Sequence, residues 1–201
     1  MAHDTEFHVH HDSPEAIGRR ERLGVRLLIV ADGAFLFGMI FSWFYLRNLN
    51  VNQAWLPKGV HSFSTASGYM AALGLVIAAL AHRLGEHNRG IRNLTAIVAL
   101  LALLVGGYYQ WHQMAHMPFE AHDPDGRPFF NSAYAANWIL VAGANMFHYL
   151  IGAFVALGLV LRGYRAKVDP ILEAWRQRTA GSWFTWIAVS GVLCAIVTSF
   201  K

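Results

Sequence analysis

Apolar residues run in five long blocks separated by short polar stretches. Between Arg26 and Arg47 the only charged residue is Asp32; 62–81, 94–114, 133–161 and 181–200 contain no Asp, Glu, Lys or Arg. A hydrocarbon core of ~30 Å needs about 20 apolar residues at 1.5 Å per residue, and every block meets that length. A soluble bundle would instead interrupt each helix with a polar stripe every turn. The pattern predicts an all-α membrane protein with spans at about 25–46, 62–82, 93–114, 133–161 and 181–200. A polar, His-rich tail over 1–24 precedes a five-helix domain over 25–201. Short connections predict antiparallel neighbours and an up-down bundle. The fourth span, about 43 Å long if fully helical, must tilt or project beyond the lipid.

The connections carry turn chemistry. Asn48, Asn50, Asn52, Pro57 and Gly59 lie in the first, Gly85 and Gly90 in the second, and Pro118, Pro124, Asp125-Gly126 and Pro128 in the third. The fourth is long enough for a short separate helix after Pro170, with Trp175 resting on the membrane surface. Trp55 reads as a headgroup-level residue, and Trp43, Tyr45, Tyr108, Tyr109, Trp111, Trp183 and Trp186 cluster near span ends as interfacial anchors.

Composition narrows the class further. Of 201 residues, 55% are hydrophobic and 14% charged, with a single cysteine, Cys194. Sixteen basic residues so diluted make no phosphate-tracking surface, and one cysteine makes neither a disulfide framework nor a Cys-based zinc finger. The basic residues are unevenly divided: twelve of the sixteen fall in the tail and the second and fourth connections, against Arg47, Lys58, Arg127 and Lys201 on the other side. That asymmetry predicts a cytoplasmic N-terminus and an external C-terminus. The first span is too long, starts too late and carries an acid, which distinguishes it from a cleavable signal.

Polar residues within the spans are the chemical candidates. An isolated carboxylate at Asp32 would cost ~2.5–3.5 kcal/mol, so it requires a proton, a partner or water; it is either a proton-linked or lipid-contacting acid or one that fixes helix geometry. In the fourth span Ala144, His148, Gly152 and Ala156 recur every four residues, with Asn137 and Asn145 near the same face. Such a face admits another backbone and lets buried amide and imidazole groups find partners across helices; His148 is otherwise a haem or metal ligand. Ser64, Gly68 and Ala72 make a similar small face in the second span. His112, Met114, His116, Met117 and His122, followed by Asp123, form a weak metal-like cluster suited to copper. His3, His8, His10 and His11 are a second, poorly defined histidine group. No phosphate loop, nucleophile elbow or His-Glu-x-x-His signature is present in the sequence.

Taken together, these residues resemble the haem-copper oxidase subunit III family, in the five-helix form of bacterial quinol and some cytochrome c oxidases. Ala31-Asp32-Gly33-Ala34-Phe35-Leu36-Phe37-Gly38, running on to Tyr45-Leu46-Arg47, matches the family's first-span acid followed by an aromatic-rich run. Gln110 stands where the family often has Gln or Glu. Gly143, Asn145, His148 and Gly152 match Gly-x-His-x-x-His-x-x-x-Gly with Asn145 for the first His. The chain departs from the family at Gln113, which replaces a second acid, and at Trp183-Phe184-Thr185-Trp186, which lacks the usual His and Asp; the fourth span also begins without Ser-x-Phe-Phe. The resemblance implies a non-catalytic subunit in a bacterial plasma membrane. It would bind no haem or copper itself, pack on a large haem-copper catalytic subunit among other oxidase subunits, hold structural phospholipid and support proton uptake in aerobic electron transport. It implies a lipid- or proton-linked role for Asp32 and helix packing for Gln110, Gln113, Gly143, Asn145, His148 and Gly152. Two other readings stay open: an accessory protein of a nitric oxide reductase, and a membrane metal- or haem-binding protein using the 112–122 cluster or His148.

Overall fold

The computed structural model describes residues 12–53, 55–56, 61–118, 120–122, 128–130, 132–164 and 169–201. Five long apolar helices make up most of it: α1 (Pro14–Leu49), α2 (Thr65–His87), α3 (Arg92–Ala115), α4 (Ala133–Gly163) and α5 (Pro170–Ser199). The chain is a multi-pass, all-α membrane protein. A three-residue antiparallel ladder, Glu120–His122 with Pro128–Phe130, lies between α3 and α4.

Each helix but α3 begins at a side-chain cap. Ser13 accepts from the Ala16 amide, Ser64 from Ser67, Ser132 from Ala135, and Asp169 from both Ile171 and Leu172, with Pro following Ser13 and Asp169 at the first helical position. Those caps explain two departures from the expected spans. The Ser13-Pro14 start carries α1 back through the polar residues before 25. Asp169-Pro170 starts α5 early, and no breaker follows, so the short helix expected after Pro170 and the last span are one continuous helix. At 36 residues α1 is about 54 Å long, far more than the ~30 Å hydrocarbon core, so it extends beyond the lipid.

Contacts at the helix ends fix the directions. Glu21 and Arg176 join the beginnings of α1 and α5 at 3.2 Å, and Arg47 Nε donates to the Lys201 carbonyl at 2.8 Å near their far ends, so these helices run parallel. Ser42 Oγ donates to Asn137 Oδ1 (2.9 Å) between the end of α1 and the start of α4, and His82 bonds the Gln177 carbonyl (3.0 Å) between the end of α2 and the start of α5. Asn93 Nδ2 likewise reaches Gly163 O from the start of α3 (3.2 Å). The bundle therefore alternates up and down, yet chain order is not packing order: α5 inserts between α1 and α2 and also touches α4. Half of the most apolar stretch of α5 is buried, against 17% for α1, so α5 is the inner helix and α1 the most exposed one.

Two apolar clusters fill the bundle. One packs Leu75, Leu103, Tyr149, Trp183, Phe184 and Ile187; the other, toward the Arg47 and Lys201 end, packs Leu36, Met39, Trp43, Trp55, Tyr134 and Trp138. Several supposed lipid anchors are core residues instead. Trp43, Trp55 and Tyr134 meet edge-to-face with centroids 5.1–5.7 Å apart, and Trp43 Nε1 donates to the Phe200 carbonyl at 3.1 Å. Aromatic rings gain from mutual packing as well as from the lipid interface, and here packing wins. Trp175 is likewise covered by α1: Gly18 lies directly against its ring and Arg22 stacks over it at 5.9 Å. Tyr45, Tyr108 and Trp111 remain exposed.

Candidate functional site: two polar chains in the bundle

His148 and Asp32, 116 residues apart in sequence, are direct partners. His148 Nε2 donates to Asp32 Oδ2 at 2.9 Å, and Trp186 Nε1 donates to the same oxygen at 2.5 Å. On the other side of the imidazole, Ser190 Oγ lies 3.1 Å from His148 Nδ1 and 3.0 Å from the Ile187 carbonyl. The His148 side chain is 2% exposed and that of Asp32 12%. Three helices are thus joined by one chain of polar atoms: α1 supplies the acid, α4 the imidazole, and α5 the indole and hydroxyl from Trp186 and Ser190, four residues apart on one face.

The hydrogen count shows what this chain can do. With Asp32 as a carboxylate, which only accepts, Nε2 carries the hydrogen of this bond. If Ser190 donates to Nδ1, the imidazole is neutral. If Ser190 turns to Ile187 O, Nδ1 can carry a hydrogen and donate to Oγ, and an imidazolium faces the carboxylate. The same heavy-atom geometry accommodates either hydrogen count, with the Ser190 hydroxyl turned accordingly.

A second chain begins one turn away on α4. Gln113 Nε2 donates to Ser67 O (3.2 Å), Gln110 Nε2 to Gln113 Oε1 (3.3 Å), and Asn145 Nδ2 to Gln110 Oε1 (2.9 Å). Tyr149 donates to Ala71 O at 2.6 Å beside it. Gln110, Gln113 and Asn145 are all buried. Gly152 admits α5 and α3: a Cβ there would stand 3.0 Å from Ile187 and 3.2 Å from Leu103. Gly143 has no such neighbour, since a Cβ would meet nothing within 4 Å, so this glycine is not a point of close helix approach.

The histidine–methionine cluster separates. His112 and His116 are exposed, their rings stacked 4.3 Å apart, whereas Met114 and Met117 pack against the core. His116 Nδ1 donates to the His112 carbonyl at 3.0 Å. Among the described residues, no three His, Cys, Asp or Glu side chains are grouped as a metal site would require. The side chain of His122, together with Asp123 and the tail histidines His3, His8, His10 and His11, lies outside the described residues. His82, near the end of α2, bonds the α5 backbone and packs on Phe184.

Sequence reasoning missed a groove of about 440 Å³ among α1, α4 and α5. Val25, Leu28, Ile151 and Val155 give it apolar walls, while Arg162, Arg176, Thr179 and Trp183 bring donors. Arg162 Nε, Thr179 Oγ1 and Trp183 Nε1 are buried without a hydrogen-bond partner. No pattern along one segment marks this groove, because its walls come from three different helices. Comparison of the sequence with family models and with curated proteins finds no match.

Proposed function

We propose that this chain is a non-catalytic, subunit III-like component of a respiratory haem-copper oxidase complex, bracing a large catalytic subunit that holds the haem and copper. One observation carries the reading: the ionisable positions of the resemblance, Asp32 and His148, meet in one part-buried hydrogen bond. Intramembrane acids and imidazoles are costly unless paired, and this pairing ties the most exposed helix to the interior of the bundle. Asp32, with its rotatable Ser190 end, serves proton uptake by the complex.

The groove supports the lipid part of the reading. Its unpartnered donors and apolar walls suit an anionic phospholipid, with phosphate oxygens at Arg162, Thr179 and Trp183 and an acyl chain along Val25 and Ile151. Arg162 and Arg176 line it, the latter paired with Glu21, at the end that the positive-inside rule assigns to the cytoplasmic face of a bacterial plasma membrane.

The test is purification of the tagged chain in mild detergent from its native membrane. Copurification of a large haem-containing subunit and an oxygen-reducing eluate are expected. Nitric oxide reduction in place of oxygen reduction would move the chain to the reductase accessory class. Reproducible recovery of the chain alone from membranes rich in the oxidase would overturn the subunit reading, and haem or stoichiometric copper on the isolated chain would replace it with the metal-binding one. For the lipid, Arg162→Leu should lower the anionic phospholipid retained after purification, and unchanged lipid would remove the groove from the proposal.

A further inference from the structure

The amide chain on α3 and α4 leaves one atom over. Ser67 O is a backbone carbonyl and can only accept, so the Gln113 side chain must present its nitrogen to it. That orients Gln113 Oε1 as acceptor for Gln110 Nε2, which turns Gln110 Oε1 toward Asn145 Nδ2. The backbone thus sets every amide in the row, and flipping any one would set like groups against each other. The last acceptor, Asn145 Oδ1, is buried and has no hydrogen-bond partner. Asn145 itself is 4% exposed.

That residue lines a small, partly open cavity of about 30 Å³ among α2, α3, α4 and α5. The Asn145 oxygen is directed toward the α5 side, where a Cβ built on Gly191 would stand 3.4 Å from it. A water requires roughly 10–15 Å³ and two to four polar partners. The space therefore suits one or two waters and is too small for a lipid chain. Partners are at hand: Gln110 and Gln113 each carry a second amide hydrogen. Thr198 Oγ1, which donates to the Cys194 and Ala195 carbonyls, keeps lone pairs to accept.

We infer that this cavity is a water-binding site, in which water donates to Asn145 Oδ1 and completes the amide chain. No donor of the lining makes a hydrogen bond to that oxygen, and leaving a buried acceptor unmade costs ~1–3 kcal/mol. The water also serves as the joint between α5, through Thr198, and the α3–α4 pair, where α4 and α5 have little direct packing. The inference is independent of the subunit and lipid readings, because it depends only on the orientation of three amides.

The experiment is a structure of the full chain in lipid at a resolution that shows single waters, paired with infrared difference spectra on exchange into ¹⁸O water. Density within hydrogen-bond distance of Asn145 Oδ1, and an exchange-sensitive O–H band, are expected. Ala142→Val, which adds methyl groups to the cavity lining, should abolish that band and lower the melting temperature. No density there while other buried waters are visible, or a higher melting temperature in Ala142→Val, would overturn the inference: a dry void gains from being filled, whereas a hydrated polar one does not. Should that variant fail to fold, the wild-type density and spectrum still decide.

Discussion

His148 and Asn145, one turn apart on α4, head two polar chains of opposite construction. The His148 chain contains a carboxylate and an imidazole, reaches across to α1 and α5, and has a hydroxyl end that can face either way. The Asn145 chain contains only amides, reaches across to α3 and α2, and is oriented throughout by a backbone carbonyl. One contains ionisable groups; the other contains none. Within lipid, amides fix how helices sit against each other at modest cost, while an ionisable pair adds a site whose proton can move.

Substitutions can break or sharpen that contrast, and the largest effect is expected at the ionisable chain. His148→Leu leaves Asp32 with Trp186 alone and should cost ~3–5 kcal/mol in thermal unfolding in detergent if the pair is charged. A cost nearer ~1–3 kcal/mol would assign it to a neutral hydrogen bond. Asp32→Asn, which keeps an acceptor for both donors, should assemble normally yet alter proton-linked turnover of the purified complex. Unchanged turnover would reduce Asp32 to a structural partner.

Smaller effects are expected in the amide chain. Asn145→Leu strands Gln110 Oε1 and should cost ~1–3 kcal/mol, with turnover per assembled complex unchanged. A turnover defect there would erase the distinction between the chains. Tyr149→Phe removes one buried bond to Ala71 O and should cost about 0.6–1.5 kcal/mol in the same assay, the range for single membrane hydrogen bonds. Gly143→Ala should be neutral or stabilising by up to ~1 kcal/mol, because the helix gains propensity and the new methyl meets nothing within 4 Å. A marked loss at Gly143 would reveal a contact made outside this chain.

The candidate site was half legible in the residues. Asp32 and His148 stand out because ionisable groups in apolar blocks are rare and demand partners. Their pairing with each other does not, since periodicity along one helix says nothing of which neighbour it faces. Trp186 and Ser190 are missed for a related reason: tryptophan near a span end reads as an interfacial anchor, and only packing reveals that its indole N–H turns inward to a carboxylate. Gly143 and Gly152 look equivalent on α4, yet just one lies where another helix presses.

What the amino-acid order settles by itself is the number of crossings and the extent of the apolar blocks, because transfer to lipid acts on each segment separately and sums over about 20 residues. Which helices touch is decided by side-chain packing and by the need of every buried polar group for a partner, and those are properties of pairs. Only the assembled bundle could place α5 between α1 and α2, bring Asp32 to His148, and leave the Asn145 oxygen facing a cavity of water size.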